Sequence, residues 1–398
     1  MIDENTIDKL VERLIRRTEQ ANTYFLKQMG EYIKQIRELK PTQAQQLVQI
    51  LKYDGTYDEI VKELSKYSKL NVSEIDTIFN DYASKDQMFY EKFYKYKDIP
   101  FIPYSENKAV QMQTMALSNI AKNELYDFTR HNVLGYTIHD LDGNVTFLGL
   151  KETYNTLLDT ALLNVGQGKE TFDSSMSRII NDIGNSGLKT LNYESGRNIR
   201  LDSAVRMHLK SRLRELHNEN QKIYGSEFGS DGIEISVHSN PAVDHEKVQG
   251  HQFSNSEYEK LQDGLIAKDI NGKIYSLDHD SKNGYRPISE MNCYHYIFSI
   301  VLGVSEPEYT EKQLQKIIDD NDKGFEFEGK HYTNYQGTQL QRKIETEIRK
   351  QKDIKTLAFA SDNKEVLDNA NLKITYLNDK YKALNEISGL KPKLKRLR

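Results

Sequence analysis

Apolar residues at helical spacing run through the first third of the chain and limit the fold more than any other feature. Leu10, Leu14, Ala21 and Phe25, then Met29, Ile33 and Ile36, place one apolar stripe on an otherwise charged segment. That is the pattern of a helix that buries one face, and residues 5–130 read as a succession of such helices. Thr42 and Asn71 are the expected caps of "PTQAQQLVQIL" and "NVSEIDTIF", because short polar side chains accept from the free amides of a first turn. Pro100 and Pro103 in "YKDIPFIPY" forbid helix continuation and mark a joint within the helical region.

At "GYTIHDLDGNVTFLGL" the period changes. Tyr136 to His139 and Val145 to Leu148 flank Asp142-Gly143-Asn144, a hairpin signal. Helical periodicity returns from about Lys151 to Gly187, with Gly166, Gly168, Gly184 and Gly187 expected to break it into short helices. Leu201, Val205, Leu209, Leu213 and Leu216 then form a new stripe, "GIEISVHS" alternates as a strand, and "KDINGKIYSL" turns at Asn271-Gly272. Past Glu306 come one more hairpin, "GFEFEGKHYT", and a long polar helix, "YQGTQLQRKIETEIRKQK". The expectation is a predominantly helical α+β protein. It comprises a helical region over 1–130, a hairpin and short helices over 131–190, an α+β core over 191–310, and a hairpin, helices and basic tail over 311–398.

Composition narrows the function classes. A net charge of -4 supplies no global field that would call for nucleic acid. The 29% of charged residues exceeds the usual ~25% and implies a polar surface. One cysteine excludes an intramolecular disulfide framework and fits synthesis in a reducing host cytoplasm. The acidic start "MIDENTIDKLVERL" and the lack of any run of about 18 apolar residues argue against a signal peptide and against a membrane partner. No tryptophan, 25 tyrosines and abundant Lys, Asn and Ile point to AT-rich codons, as in a low-GC bacterial or phage genome.

The chemical signal is a cluster: His238, His245, His251, His279 and His295 accompany Cys293, the lone cysteine. "HSNPAVDH" and "CYH" together could supply His238, His245, Cys293 and His295 to a zinc ion. No other cofactor is indicated, and the alternative is a hydrogen-bonded polar core around a buried thiol. A catalytic thiol needs a base in contact, whereas side chains at i and i+2 on a strand point the same way without facing one another. Neighbouring motifs fail. "HEKVQGH" lacks the second histidine of a zinc-protease helix, "GQGKET" has Leu163 and Glu170 where a phosphate loop needs Gly and Ser or Thr, and "DHDSKNG" lacks a calcium loop's terminal glutamate. Arg206, Lys210 and Arg214 make a basic stripe that could meet phosphates or an acidic partner, or simply face solvent with Asp202 pairing Arg206. Lys391, Lys393, Lys395, Arg396 and Arg398 form a tail whose like charges should keep it extended until a partner such as DNA neutralises them.

Four motifs in this order, "YESGRNIRLDSAVRMHLKSRL", "EISVHSNPAVDHEKVQGHQFS", "MNCYHYIFSIVLGVSEPEY" and "YQGTQLQRKIETEIRKQK", resemble the phage minor capsid protein 2 family. That family is related more distantly to the minor head domain of Mu-like phages. The resemblance is dense from about Leu162 onward. Its pattern falls on Asp202, Ala204, Val205 and Arg206; on His238, His245, Gln249 and Gly250; on Asn292, Cys293 and His295; and on Gln341, Arg342, Glu345 and Arg349. Val248 stands where relatives usually have an aromatic residue, and Tyr294 where many have arginine, which weakens phosphate binding at that position. The resemblance implies a virion component of low copy number, associated with the portal and other capsid proteins, that acts in head assembly or genome delivery. The alternatives are a metal- or thiol-dependent hydrolase using the His/Cys cluster, and a head protein that binds DNA through its tail.

Overall fold

The computed structural model describes every residue except 1–3, 54, 140–143, 168–171, 192–195, 197, 278–285, 290–292 and 398. It is a predominantly helical α+β structure. In chain order the helices are α1 (Glu4–Arg37), α2 (Pro41–Tyr53), α3 (Thr56–Asp86), α4 (Glu91–Lys97), α5 (Lys108–Thr129), α6 (Leu150–Gln167), α7 (Phe172–Ser186), α8 (Leu201–Phe228), α9 (Asn255–Gln262), α10 (Glu311–Lys323), α11 (Asn334–Ala360) and α12 (Lys364–Ser388). The strands are β1 (Leu134–His139), β2 (Val145–Gly149), β3 (Lys189–Leu191), β4 (Asn198–Arg200), β5 (Gly232–Ile235), β6 (Gln252–Ser254), β7 (Ala267–Lys268), β8 (Ile274–Tyr275), β9 (Ile297–Ile300), β10 (Phe325–Phe327) and β11 (Lys330–Tyr332). Two compact units divide the chain. Unit 1 takes Met1–Val11, Glu74–Lys122 and Met207–Gln339; unit 2 takes Glu12–Ser73, Asn123–Arg206 and Leu340–Arg398.

Unit 2 holds an antiparallel sheet in the order β2-β1-β3-β4. Tyr136 of β1 is fully buried; its ring stacks on Phe25 at 5.2 Å and its hydroxyl donates to Asn22 Oδ1 at 2.9 Å, so the polar tip is satisfied inside an apolar layer. The β1–β2 hairpin is the expected one, although Asp142 and Gly143 of its turn lie outside the described residues. Gly184 does not break a helix. It lies inside α7, where an added Cβ would come 2.3 Å from Ile354 Cγ1, so glycine is there to let two helices approach.

Two expected caps are corrected. Thr42 is the second residue of α2, which opens on Pro41, a residue whose fixed φ and missing N–H suit a first turn. Asn71 sits within the continuous helix α3, buried, with Nδ2 donating to Leu14 O at 3.3 Å. Its tertiary partner outweighs the capping preference of its side chain.

Unit 1 is built on a three-stranded antiparallel sheet with β5 between β6 and β9. Every residue of β5 and β9 is buried. Ile233, Ile235, Phe253, Leu261 and Ile297 are among the side chains of one core. Tyr90, Phe93, Tyr224 and Phe228 form another, with Tyr90 on Tyr224 at 4.5 Å and Phe93 on Phe228 at 4.9 Å. Stacked tyrosines and phenylalanines thus supply the bulk that tryptophan would supply elsewhere. The hairpins at Asn271-Gly272 and in "GFEFEGKHYT" form as read. Helix α10, which precedes the second hairpin, has no counterpart in the sequence reading. It opens on a capping box of Thr310 and Gln313.

Candidate functional site

The His/Cys cluster forms at one end of the β5–β9 pair. These strands are antiparallel, with Ile235 opposite Ile297, so the residues after β5 and those before β9 leave the sheet side by side. Ser236 and Tyr296 continue the contact: Ser236 N–H donates to Tyr296 O at 2.9 Å, and Tyr296 N–H to Ser236 Oγ at 2.8 Å. His238 and Tyr294 follow on either side, and His238 Nε2 donates to Tyr294 O. A run of turns over 243–250 then returns to the sheet, where Gly250 N–H donates to Ile235 O at 2.8 Å. Gly250 has φ +74, and a Cβ there would lie 2.4 Å from Leu314 Cδ2, so both conformation and space select glycine.

A second clamp fixes the far side. Arg286 binds Asp244 through two hydrogen bonds, Nε to Oδ2 at 2.9 Å and Nη2 to Oδ1 at 3.0 Å. The fork geometry of guanidinium and carboxylate sets the position of both segments. Arg286 O therefore lies 2.7 Å from His245 Nε2. A carbonyl only accepts, so Nε2 carries the proton and Nδ1 presents a lone pair. Gln249 does the same for His295. Its Oε1 accepts from His238 N–H at 2.9 Å, which fixes the orientation of the amide, and it also lies 3.2 Å from His295 Nε2. His295 Nε2 is thus the donor, leaving Nδ1 with a lone pair as well.

Both Nδ1 atoms face Cys293 Sγ, each at 3.4 Å, and the three atoms all lie within 4.8 Å of one another. His245, Cys293 and His295 are buried to 3% exposure or less. The expected separation of the i and i+2 side chains does not hold. Cys293 and His295 lie in irregular backbone ahead of β9, where strand alternation does not apply. His238 is the fourth member expected of the cluster, and its ring packs edge-on against His295 at 4.7 Å. Its Nε2 donates to Tyr294 O, and the atoms that lie within 4.8 Å of one another belong to His245, Cys293 and His295 alone among the four expected residues.

Burial is the main influence on Cys293, His295 and His245. It raises the Cys293 thiol, against backbone N–H groups of His295 and Ser289 that favour the thiolate. It also pushes His295 well below the usual histidine range, helped by His238 and His245, and lowers His245 against the pull of the Arg286 carbonyl and Asp244. With no ion bound, burial favours neutral imidazoles beside a protonated thiol, unlike the ion pair of a thiol nucleophile.

The basic stripe departs from a solvated face. Lys210 and Arg214 are 4% and 2% exposed; Lys210 pairs with Asp8, and the Arg214 guanidinium lies 4.8 Å above the Tyr294 ring. They are packing elements of unit 1 and do not form a phosphate-facing row with Arg206. The tail is also folded. Lys393 N–H donates to Tyr381 Oη at 2.7 Å, Lys391 O accepts from Gln341 at 3.0 Å, and Leu394–Leu397 form a short 3-10 helix. Lys395 pairs with Glu12, and Arg396 lies 3.9 Å from Glu345. Partners within the fold therefore hold a segment expected to extend. Arg398, His279, Asn292 and the "DHDSKNG" turn lie outside the described residues.

The family model for phage minor capsid protein 2 matches residues 2–385. The chain belongs to that family. No curated protein and no solved structure matches it. This minor capsid protein is accordingly a virion structural component that belongs with the other capsid proteins of a phage head. Among the described residues no helix is long and apolar enough to cross a membrane.

Of the remaining motif residues of this minor capsid protein, Asp202, Gln341, Glu345 and Arg349 are buried polar groups in unit 2. Asp202 accepts from Arg200 Nε at 3.2 Å and is paired with Arg349. Arg200 also reaches Asp353 at 3.0 Å, and Asp353 accepts from Asn22 at 2.8 Å. Glu345 accepts from Tyr381 Oη at 2.9 Å. Asp202 was expected to pair with Arg206 along its own helix. Arg206 does lower its pKa, but less than Arg349 and Arg200 do.

Proposed function

We propose that this minor capsid protein is a non-enzymatic head component that associates with the portal and acts in head assembly or genome delivery. The family match over residues 2–385 carries the reading. Its non-enzymatic part is supported by the cluster's burial: Cys293 is 1% exposed and its thiol is shifted away from the thiolate, so a substrate would meet neither a nucleophile nor an open base. An interaction surface fits the same role. Around the β7–β8 hairpin, Leu265, Ile266, Ile270 and Ile274 are 44–67% exposed, an apolar group of the kind that marks protein contacts. We assign it to a phage head protein.

Co-expression with the cognate portal and major capsid proteins, followed by purification of particles, tests the proposal. The expected result is incorporation at a few copies per particle, dependent on the portal. Ile266→Glu with Ile274→Glu should deplete the protein from particles while leaving its circular dichroism unchanged. Particles without the protein, or incorporation indifferent to the portal, would reject the portal association.

A further inference from the structure

We propose that His245 Nδ1, Cys293 Sγ and His295 Nδ1 are three ligands of one divalent metal site suited to zinc, with His238 outside the ligand set. The distances fit first. A tetrahedral zinc with Zn–S of about 2.3 Å and Zn–N of about 2.0 Å has a sulfur–nitrogen edge of about 3.5 Å, and both Sγ–Nδ1 distances are 3.4 Å. The proton inventory fits as well. Each imidazole spends its only N–H on an outer acceptor, Arg286 O or Gln249 Oε1, so two lone pairs converge on one thiol. A single S–H can satisfy only one of them, which leaves a buried acceptor without a donor, a costly arrangement. A cation bound to a thiolate and two neutral imidazoles satisfies all three atoms.

The surroundings match what a metal needs. A ligating histidine is oriented by a hydrogen bond from its second nitrogen, and both rings have one. Ser289 takes φ 69, and its hydroxyl donates to His295 O at 2.8 Å, which ties that turn to the site. Binding releases the thiol proton to solvent and forms a metal–sulfur bond, with no change of oxidation state. His238 lies outside the three residues whose ligand atoms all fall within 4.8 Å of one another. The inference stands apart from the portal reading, since it concerns the metal content of the isolated chain.

The test uses the full chain, purified reduced, stripped of metal, and reconstituted with zinc or with cobalt(II) as a spectroscopic probe. The expected result is one metal per chain and, with cobalt, a sulfur-to-metal charge-transfer band with tetrahedral-strength visible absorption. Cys293→Ser should abolish that band, His238→Ala should keep stoichiometry and band, and Gln249→Leu should weaken affinity roughly 10–100-fold. Substoichiometric metal on the wild-type chain, or a charge-transfer band that survives Cys293→Ser, overturns the site. Loss of metal in a folded His238→Ala overturns the three-ligand assignment. If Cys293→Ser does not fold, the wild-type cobalt spectrum alone decides whether sulfur is bound.

Discussion

Replacing Asp202 with alanine is expected to lower the unfolding free energy by about 3–5 kcal/mol, because it leaves buried arginines without their counter-charge. Arg200 and Arg349 both bind this carboxylate, and Asp202 is only 4% exposed. Urea denaturation followed by circular dichroism gives the value, and a loss below about 1 kcal/mol, the range of an exposed pair, would contradict the assignment. Asp202→Leu combined with Arg349→Met should cost less than the single change, since removing both charges also removes the desolvation penalty. The pH dependence carries a sign. Burial alone would raise the Asp202 pKa, but Arg349, Arg200 and Arg206 outweigh it and hold the carboxyl at about 2. That is below the unfolded value of about 3.9. Its stabilisation is therefore present above about pH 4 and is lost as pH falls through about 2. Asp353 is shifted the opposite way by burial, against Arg200, so its ionisation opposes folding. The gap between wild type and Asp202→Ala should narrow on acidification from about pH 4 towards 2.

The second large effect is at Gly250. A Gly250→Val chain is expected to lose about 2–5 kcal/mol, from a left-handed conformation that costs a side chain roughly 1–2 kcal/mol and overpacking that costs about 1–3 kcal/mol. The conformation and the close neighbours, Leu314 and Val237, are both present. Gly250→Asn separates the two contributions, because asparagine tolerates positive φ but still occupies the space. If Gly250→Asn matched wild type in thermal unfolding, the packing argument would fail and only the backbone argument would stand. Gln249 precedes this glycine and orients His295, so the same substitutions should also weaken any metal bound by the cluster.

What the sequence revealed was local. The β1–β2, β7–β8 and β10–β11 hairpins follow from turn residues between short β-prone runs, and the apolar stripes of α1 and α8 follow from spacing. Helix α10 was missed, although its start carries a local signal. Thr310 and Gln313 have capping-box spacing, and both reciprocal hydrogen bonds form. Other features depend on distant partners. Asn71 looks like a cap until Leu14 O is known to lie beside it. Lys210 and Arg214 look solvated until Asp8 and the Tyr294 ring cover them. At the site, the histidines and cysteine were visible as a composition cluster, and Gln249 only as a motif residue. Its role as an acceptor for two N–H groups follows from a fold that returns the 243–250 turns to β5.

The segmental make-up of the two units bears on how the chain is produced. Unit 2 begins with Glu12–Ser73 but takes its last segment from Leu340–Arg398. At bacterial-type elongation rates of about 5–20 residues per second, the first segment waits roughly 15–65 s for the residues it must pack against. Phe25 and Met29, fully covered in the finished fold, lie on α1, the helix that meets the closing segment where Asn22 donates to Asp353 and Gly30 lies against Ala360. Such apolar faces on a nascent chain are targets for holding chaperones and for premature self-association. Yield in the host should therefore respond to translation speed and chaperone supply more than the stability of the finished molecule would suggest.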